Sequence, residues 1–242
     1  SDLITMTYDS TFYNLTSVKD ALGRQYTYTY DEKGNRTAMT NPLGHTAAFT
    51  YDPTGQLKTS KDFNDNITTY QYDGFGNLTK ITDSDGFTTA YTYDILGRVL
   101  TQTDPLNNKT TFEYDALNRL VKKTAADNSF EQYAYDKTGN VISIANTKGK
   151  VTTFTYDAAR RLVSVKDALN QVTSLTLDNL GNILKVTDPQ NNSTQFTYDS
   201  FNRITTSTDA LGNKTTLNYG GPIAPLPILN MPTSVTDTHG HT

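Results

Sequence analysis

The pair Tyr-Asp returns every 21 residues, and no other feature of the chain limits its fold as strongly. It stands at Tyr8, Tyr30, Tyr51, Tyr72, Tyr93, Tyr114, Tyr135, Tyr156 and Tyr198, while Leu177-Asp178 and Tyr219-Gly220 keep the phase with one member changed. From Tyr30 to Tyr219 every interval is 21 residues; the first is 22, because YDSTFYNL carries one residue more than YDEKGNR. A fixed period of this length marks stacked supersecondary units that bury apolar surface against one another.

Each unit contains two turn signatures. The first is opened by the Asp of the pair and closed three residues later: Asp31 with Gly34, Asp52 with Gly55, Asp73 with Gly76, Asp94 with Gly97, Asp115 with Asn118, Asp136 with Gly139, Asp157 with Arg160, Asp178 with Gly181 and Asp199 with Asn202. The second, ten residues on, closes at Gly44, Asp65, Gly86, Asn107, Asn128, Gly149, Asn170, Asn191 and Gly212. An Asp at the first position accepts hydrogen bonds from N–H groups ahead of it, and the fourth position needs φ > 0, which Gly and then Asn tolerate best. Arg160 departs from this rule. A type I turn followed by a Gly bulge is the hairpin connector with this signature.

Between turns lie five to seven residues rich in Thr, Val, Ile, Tyr and Phe, too short for helices and right for strands. Before each Tyr-Asp the aromatics alternate, as in Tyr28/Tyr30, Phe49/Tyr51, Tyr70/Tyr72, Tyr91/Tyr93, Phe112/Tyr114, Tyr133/Tyr135, Phe154/Tyr156 and Phe196/Tyr198, and so share one face. The residues between them, Thr29, Thr50, Gln71, Thr92, Glu113, Ala134, Thr155 and Thr197, point the other way. The companion strand begins at Leu57, Leu78, Val99, Leu120, Val141, Leu162, Ile183 or Ile204. Tight turns at both strand ends make all neighbours antiparallel, so the expected fold is all-β: a long meander of roughly 20 strands, built of 21-residue hairpins whose aromatic rings stack in ladders. A parallel solenoid would not require Asp-x-x-Gly chemistry twice per coil. So many strands are expected to twist into a curved, spiralling strip. The repeats occupy 1–218. In 219–242 the phase breaks at GGPIAPLPILNMP, where Pro222, Pro225, Pro227 and Pro232 cannot donate to a ladder, marking an insertion before a truncated further repeat. Its apolar Ile223, Leu226, Ile228, Leu229 and Met231 need a surface to cover: the loop's own sheet is the favoured one, and the open end of the strip and a partner are the alternatives.

At this point the residues resemble a known family. The tandem YD-x-x-G-N-L…TD-x-x-G-N-x-T-T-x-Y unit is similar to the YD, or Rhs, repeat of bacterial polymorphic toxins, wall-associated proteins and insecticidal toxin-complex subunits, and of animal teneurins, from Tyr8 to about Asn218. The resemblance implies a β-strip spiralling into a hollow shell, of which this chain would be a part, enclosing a C-terminal toxin in the toxin members. It implies a scaffold with no chemistry in the repeat, a secreted or cell-surface parent protein, and as partners the rest of the shell and an enclosed toxin. No self-cleaving aspartate of the family's core region can be assigned in this chain.

Other chemistries are poorly served. The aspartates recur as turn openers, so a paired-carboxylate acid/base site is disfavoured. Calcium would need six to eight converging oxygens, and Asp83 with Asp85 and Asp62 with Asp65 are the only dense acidic spots. His45, His239 and His241 lack the spacing of a zinc site, there is no Cys, and no nucleophile elbow or phosphate loop occurs. No metal, cofactor or catalytic residue is expected, and the chain is read as not an enzyme. A formal net charge of −4 without basic blocks argues against nucleic acid, and no apolar window reaches membrane-span length. The opening SDLITMTYDS shows no signal peptide. The alternative to a wall is a surface module presenting its aromatics to carbohydrate or a protein partner; open strip edges would also allow self-association. With no Trp, the Tyr and Phe are better used as packing rows.

Overall fold

A computed structural model describes residues 4–219, 232 and 234–238. The described residues form 22 strands and no helix. In order they are β1 (Thr5–Tyr8), β2 (Leu15–Lys19), β3 (Gln25–Tyr30), β4 (Arg36–Thr40), β5 (Thr46–Tyr51), β6 (Leu57–Lys61), β7 (Ile67–Tyr72), β8 (Leu78–Thr82), β9 (Thr88–Tyr93), β10 (Val99–Thr103) and β11 (Lys109–Tyr114). They continue with β12 (Leu120–Thr124), β13 (Phe130–Tyr135), β14 (Val141–Ala145), β15 (Val151–Tyr156), β16 (Leu162–Lys166), β17 (Val172–Leu177), β18 (Ile183–Thr187), β19 (Ser193–Tyr198), β20 (Ile204–Thr208), β21 (Lys214–Asn218) and β22 (Ser234–Thr236). Two compact units can be separated, one of residues 1–113 with 123–128, the other of 114–122 with 129–242. In the first, each strand from β1 to β11 pairs antiparallel with the next. In the second the same holds from β13 to β22. The all-β meander of tandem hairpins expected from the repeat is therefore the fold. Of the proline-rich insertion only Pro232 is described, and it is exposed; Pro222, Pro225, Pro227, the apolar residues from Ile223 to Met231, and His239 and His241 lie outside the described residues.

The two hairpins of a unit differ in one respect. Across the turn that follows Tyr-Asp, the register slips by one: Tyr30 pairs with Arg36 but Thr29 with Ala38, leaving Thr37 extra. The same β-bulge recurs at Tyr51/Leu57, Tyr72/Leu78, Tyr93/Val99, Tyr135/Val141, Tyr156/Leu162, Leu177/Ile183 and Tyr198/Ile204. Across the other turn the pairs run in continuous register, as in Thr59↔Thr69, Ser60↔Thr68 and Lys61↔Ile67. A bulge bends its strand and increases local twist, and here it does so once per 21 residues.

Pairing sorts the side chains. Tyr70 opposite Ile81 and Tyr72 opposite Leu78 lie on one face; Gln71 opposite Lys80 and Thr69 opposite Thr82 lie on the other. The second face is lined by Thr, Ser, Ala and Lys, and threonine hydroxyls bond across strands there: Thr50 with Thr59 at 2.6 Å, Thr92 with Thr101 at 2.7 Å, Thr197 with Thr206 at 2.7 Å.

The ladders are shallower than close-packed rows would be. Among the described residues only Ala47 (6% exposed) and Ser17 (8%) are buried, and no side chain falls below 2%. The aromatics from Tyr28 to Tyr198 are mostly half-buried. The cause is that each ring is covered laterally by its neighbours in the row, and among the described residues no second layer of secondary structure packs above it. A half-buried tyrosine ring therefore keeps only about 100 Å² from water, which is about 2.5 kcal/mol at about 25 cal/mol/Å².

Candidate functional site

The chain has 22 aspartates, and the geometry shows how those that open turns are used. In the turn at Asp31, the Gly34 N–H donates to the Asp31 carbonyl (3.0 Å) and the Asp31 N–H donates to the Asn35 carbonyl (2.9 Å), a type I turn continued into a bulge. The carboxylate binds the same loop. Its Oδ1 accepts the N–H groups of Lys33 and Asn35 at 2.9 and 2.8 Å, and its Oδ2 accepts from the Asn35 side-chain amide at 2.9 Å. Asp73, Asp136 and Asp178 are clamped likewise by Asn77, Asn140 and Asn182. At Asp94, Asp115, Asp157 and Asp199 an arginine takes that place: Nε of Arg98, Arg119, Arg161 and Arg203 donates to Oδ2 at 2.6 to 2.8 Å. Asp52 is held by the Thr54 hydroxyl (2.6 Å) and the Gln56 N–H (2.9 Å). Second turns repeat the clamp, as at Asp104 with Asn108 and Asp209 with Asn213.

These bonds favour the ionised form. The Asn35 side-chain amide holds the Asp31 carboxyl below its ordinary value, and the Arg119 side chain does the same for Asp115. A general acid or base near neutrality would need the opposite displacement. Among the described residues no group of three or more His, Asp or Glu side chains is arranged to hold a metal ion.

The closing residues carry positive φ: Gly34 83°, Gly55 90°, Gly76 89°, Gly97 78° and Gly139 95°, with Asn118 at 65° and Asn202 at 60°. Arg160 takes φ 64° in the same place, at the steric cost of a Cβ in the left-handed region. Tyr13, at φ 55°, sits in the widened first turn where the period is 22.

The tyrosines of the pair form a second device. The hydroxyls of Tyr30, Tyr51, Tyr72 and Tyr93 donate to the carbonyls of Leu15, Arg36, Leu57 and Leu78, 15 residues back, at 2.6 to 3.0 Å. Tyr135, Tyr156, Tyr198 and Tyr219 do the same to Leu120, Val141, Ile183 and Ile204 at 2.8 to 2.9 Å. The bulge explains why. On its far side Leu57 is not matched in the β6–β7 ladder, which ends at Thr59↔Thr69, and the Tyr72 phenol satisfies the carbonyl left over. Each phenol thus locks a unit to the one before it. Neither the clamp donor at the fifth turn position nor the lock was recognised from the sequence; the recurrent Asn or Arg after the turn-closing residue is the signal for the first, and nothing local announces the second.

Arginines tie neighbouring turns together. Arg119 Nη1 donates to the Asp136 carbonyl at 3.0 Å while its guanidinium lies 4.5 Å from the Tyr135 ring centroid. Arg36 lies near the rings of Tyr28 and Phe49, at 5.9 and 5.2 Å. Surface depressions are shallow grooves between successive turns, such as the one bounded by Asp31, Lys33, Tyr51 and Pro53. Apolar side chains stand exposed at turn tips, among them Leu43 (80%), Phe75 (82%) and Leu211 (88%). No described helix is long and apolar enough to cross a membrane.

Solved structures share the fold at low sequence identity. The chain is similar to TcdB2-TccC3-TEV, a crystal structure, with a TM-score of 0.71 and 14% identity over 90% of this chain, and to TcdB2-TccC3 with 0.60 and 16% over 89%. The Photorhabdus luminescens Tc holotoxin pore with TccC3 mutation D651A matches 98% of this chain at 0.50 and 13%. The chain spans only 14%, 14% and 17% of those chains, and no curated protein matches it. The RHS Repeat family model matches residues 14–47, 51–88, 72–108, 93–129, 135–172 and 178–214, well over half of the sequence, and the chain belongs to that repeat family.

Proposed function

We propose that this chain is a segment of a structural wall, part of a larger shell that houses or presents a C-terminal toxin, and that the segment performs no catalysis. The observation that carries this reading is the use of the repeat's chemistry. The carboxylates that could act as acids or bases close their own turns, and the phenols that could bind ligands lock one unit to the next. The likeness to toxin-complex structures supports a shell, and membership of the repeat family supports a scaffold. The residues Tyr30, Asp31, Tyr51, Asp52, Tyr72, Asp73, Tyr93, Asp94, Tyr114, Asp115, Tyr135, Asp136, Tyr156, Asp157, Tyr198 and Asp199 then serve as ladder and turn residues. In this reading 1–218 is the wall, 219–242 an insertion leading into further repeat, the curvature closes the shell, and the parent protein is secreted.

The reading is tested by truncating single tyrosines and screening each variant against a glycan array. A wall gives similar losses of stability at each position and no bound glycan. One or two tyrosines that cost nothing on truncation yet abolish binding of a sugar would replace the wall with a recognition surface.

A further inference from the structure

The tyrosine of the lock is replaced at Leu177. In the phase where its neighbours carry the locking phenol, β17 ends in Leu177, which has no hydroxyl to offer the carbonyl of Leu162. The ladder between β16 and β17 ends at Ser164↔Ser174, like the ladders at Ser143↔Thr153, Lys185↔Gln195 and Thr206↔Thr216. Those three have their open ends fastened by Tyr156, Tyr198 and Tyr219. Across the open end of β16–β17 runs a different bond: Arg161, just before Leu162, donates from Nη1 to the carbonyl of Asp178, just after Leu177, at 2.6 Å. Arg161 is positioned for this by Asp157, whose Oδ2 accepts its Nε at 2.7 Å. Arg119 spans to the Asp136 carbonyl in the same way, but there the Tyr135 phenol is also in place.

We infer that the β16–β17 seam is a built-in hinge, the point where this part of the sheet opens first, held at its turn end by Arg161 in place of a tyrosine. Every seam loses its backbone ladder on opening; here the remaining bond hangs on the long Arg161 side chain, which can follow the Asp178 carbonyl as the strands part, whereas at the neighbouring seams a phenol on a rigid ring must release its carbonyl. The arginine latch differs from a phenol in kind, because its strength depends on the Asp157 carboxylate that aims it. The inference concerns local opening within this chain and stands apart from the wall reading.

Native-state amide hydrogen exchange on the intact chain tests it. In the parent sequence the amides of residues 162–164 and 174–177 exchange about five- to ten-fold faster than those of 141–143 and 153–156, the difference one hydrogen bond makes to an opening equilibrium. Leu177→Tyr slows the seam to the rate of its neighbours, while Leu177→Phe, which adds the ring without the hydroxyl, does not. Arg161→Ala accelerates exchange at this seam more than Arg119→Ala does at 120–135, and Tyr156→Phe creates a second fast seam at β14–β15. Equal protection of the two seams in the parent sequence, or restoration by Phe as complete as by Tyr, overturns the hinge.

Discussion

Removing the phenol of Tyr72 separates the lock from the ring that carries it. Its hydroxyl donates to the Leu57 carbonyl at 3.0 Å in a part-buried position, and desolvation raises its pKa. Tyr72→Phe removes that bond alone and costs about 1 kcal/mol. The side chain of a tyrosine can bury about 200 Å². Half-burial makes that about 100 Å², or about 2.5 kcal/mol at about 25 cal/mol/Å². Tyr72→Ala therefore costs about 3.5 kcal/mol in all, by adding the ring to the bond, and Tyr72→Leu about 2 kcal/mol, because volume is kept and the bond is not. Tyr93, Tyr156 and Tyr198 make equivalent bonds to Leu78, Val141 and Ile183, so their Phe variants should cost alike. Urea unfolding followed by circular dichroism measures the set. A Phe variant without cost at one position beside a cost above 2 kcal/mol at another would refute the shared lock, and Leu costing as much as Ala would refute the ladder.

Turn closure is testable where nothing else interferes. A Cβ at Gly139 (φ 95°) would meet nothing within 4 Å, so Gly139→Val should lose about 1–2 kcal/mol from backbone strain alone and Gly139→Asn well under 1, both read from urea midpoints; equal losses would contradict the turn assignment. Arg160→Gly should stabilise by about 1 kcal/mol by relieving the left-handed residue. The clamped aspartates have depressed folded-state pKa values, so their stabilisation is present above the unfolded value near 4 and lost as the pH falls toward the folded values; urea midpoints should be level above about pH 5 and drop steeply below about pH 4, and a midpoint unchanged at pH 2.5 would contradict the clamps. Melting in the presence of millimolar calcium or a chelator should show no shift, and a rise of several degrees with calcium would put a metal among the aspartates.

Much of this architecture is legible in the sequence because its causes are local. Asp-x-x-Gly followed by alternating Thr and Tyr specifies a turn and a strand within ten residues, and the period repeats that statement until the topology has no alternative. The lock between Tyr72 and Leu57 depends on a bulge in the partner strand and on register across two turns, so no short window contains it. Burial was legible only in sign. Alternation shows that Tyr70 and Tyr72 share a face, but whether anything covers that face depends on a second layer the repeat does not encode, and the rings are half-buried in consequence. Arg98, Arg119, Arg161 and Arg203 could not be distinguished from solvated charge until the turn brought each guanidinium onto the Asp four residues before it.

The central claim is that stability and chemistry in this chain are spent row by row on holding the sheet together. Amide hydrogen exchange across the described strands tests it most directly. A wall of equivalent units shows protection that rises and falls every 21 residues, highest in strand centres, lowest at the turns, and weakest at the seam next to Leu177. One contiguous block of strong protection, with the remaining repeats exchanging freely, would mean that a local core or site carries the structure, and would contradict the account.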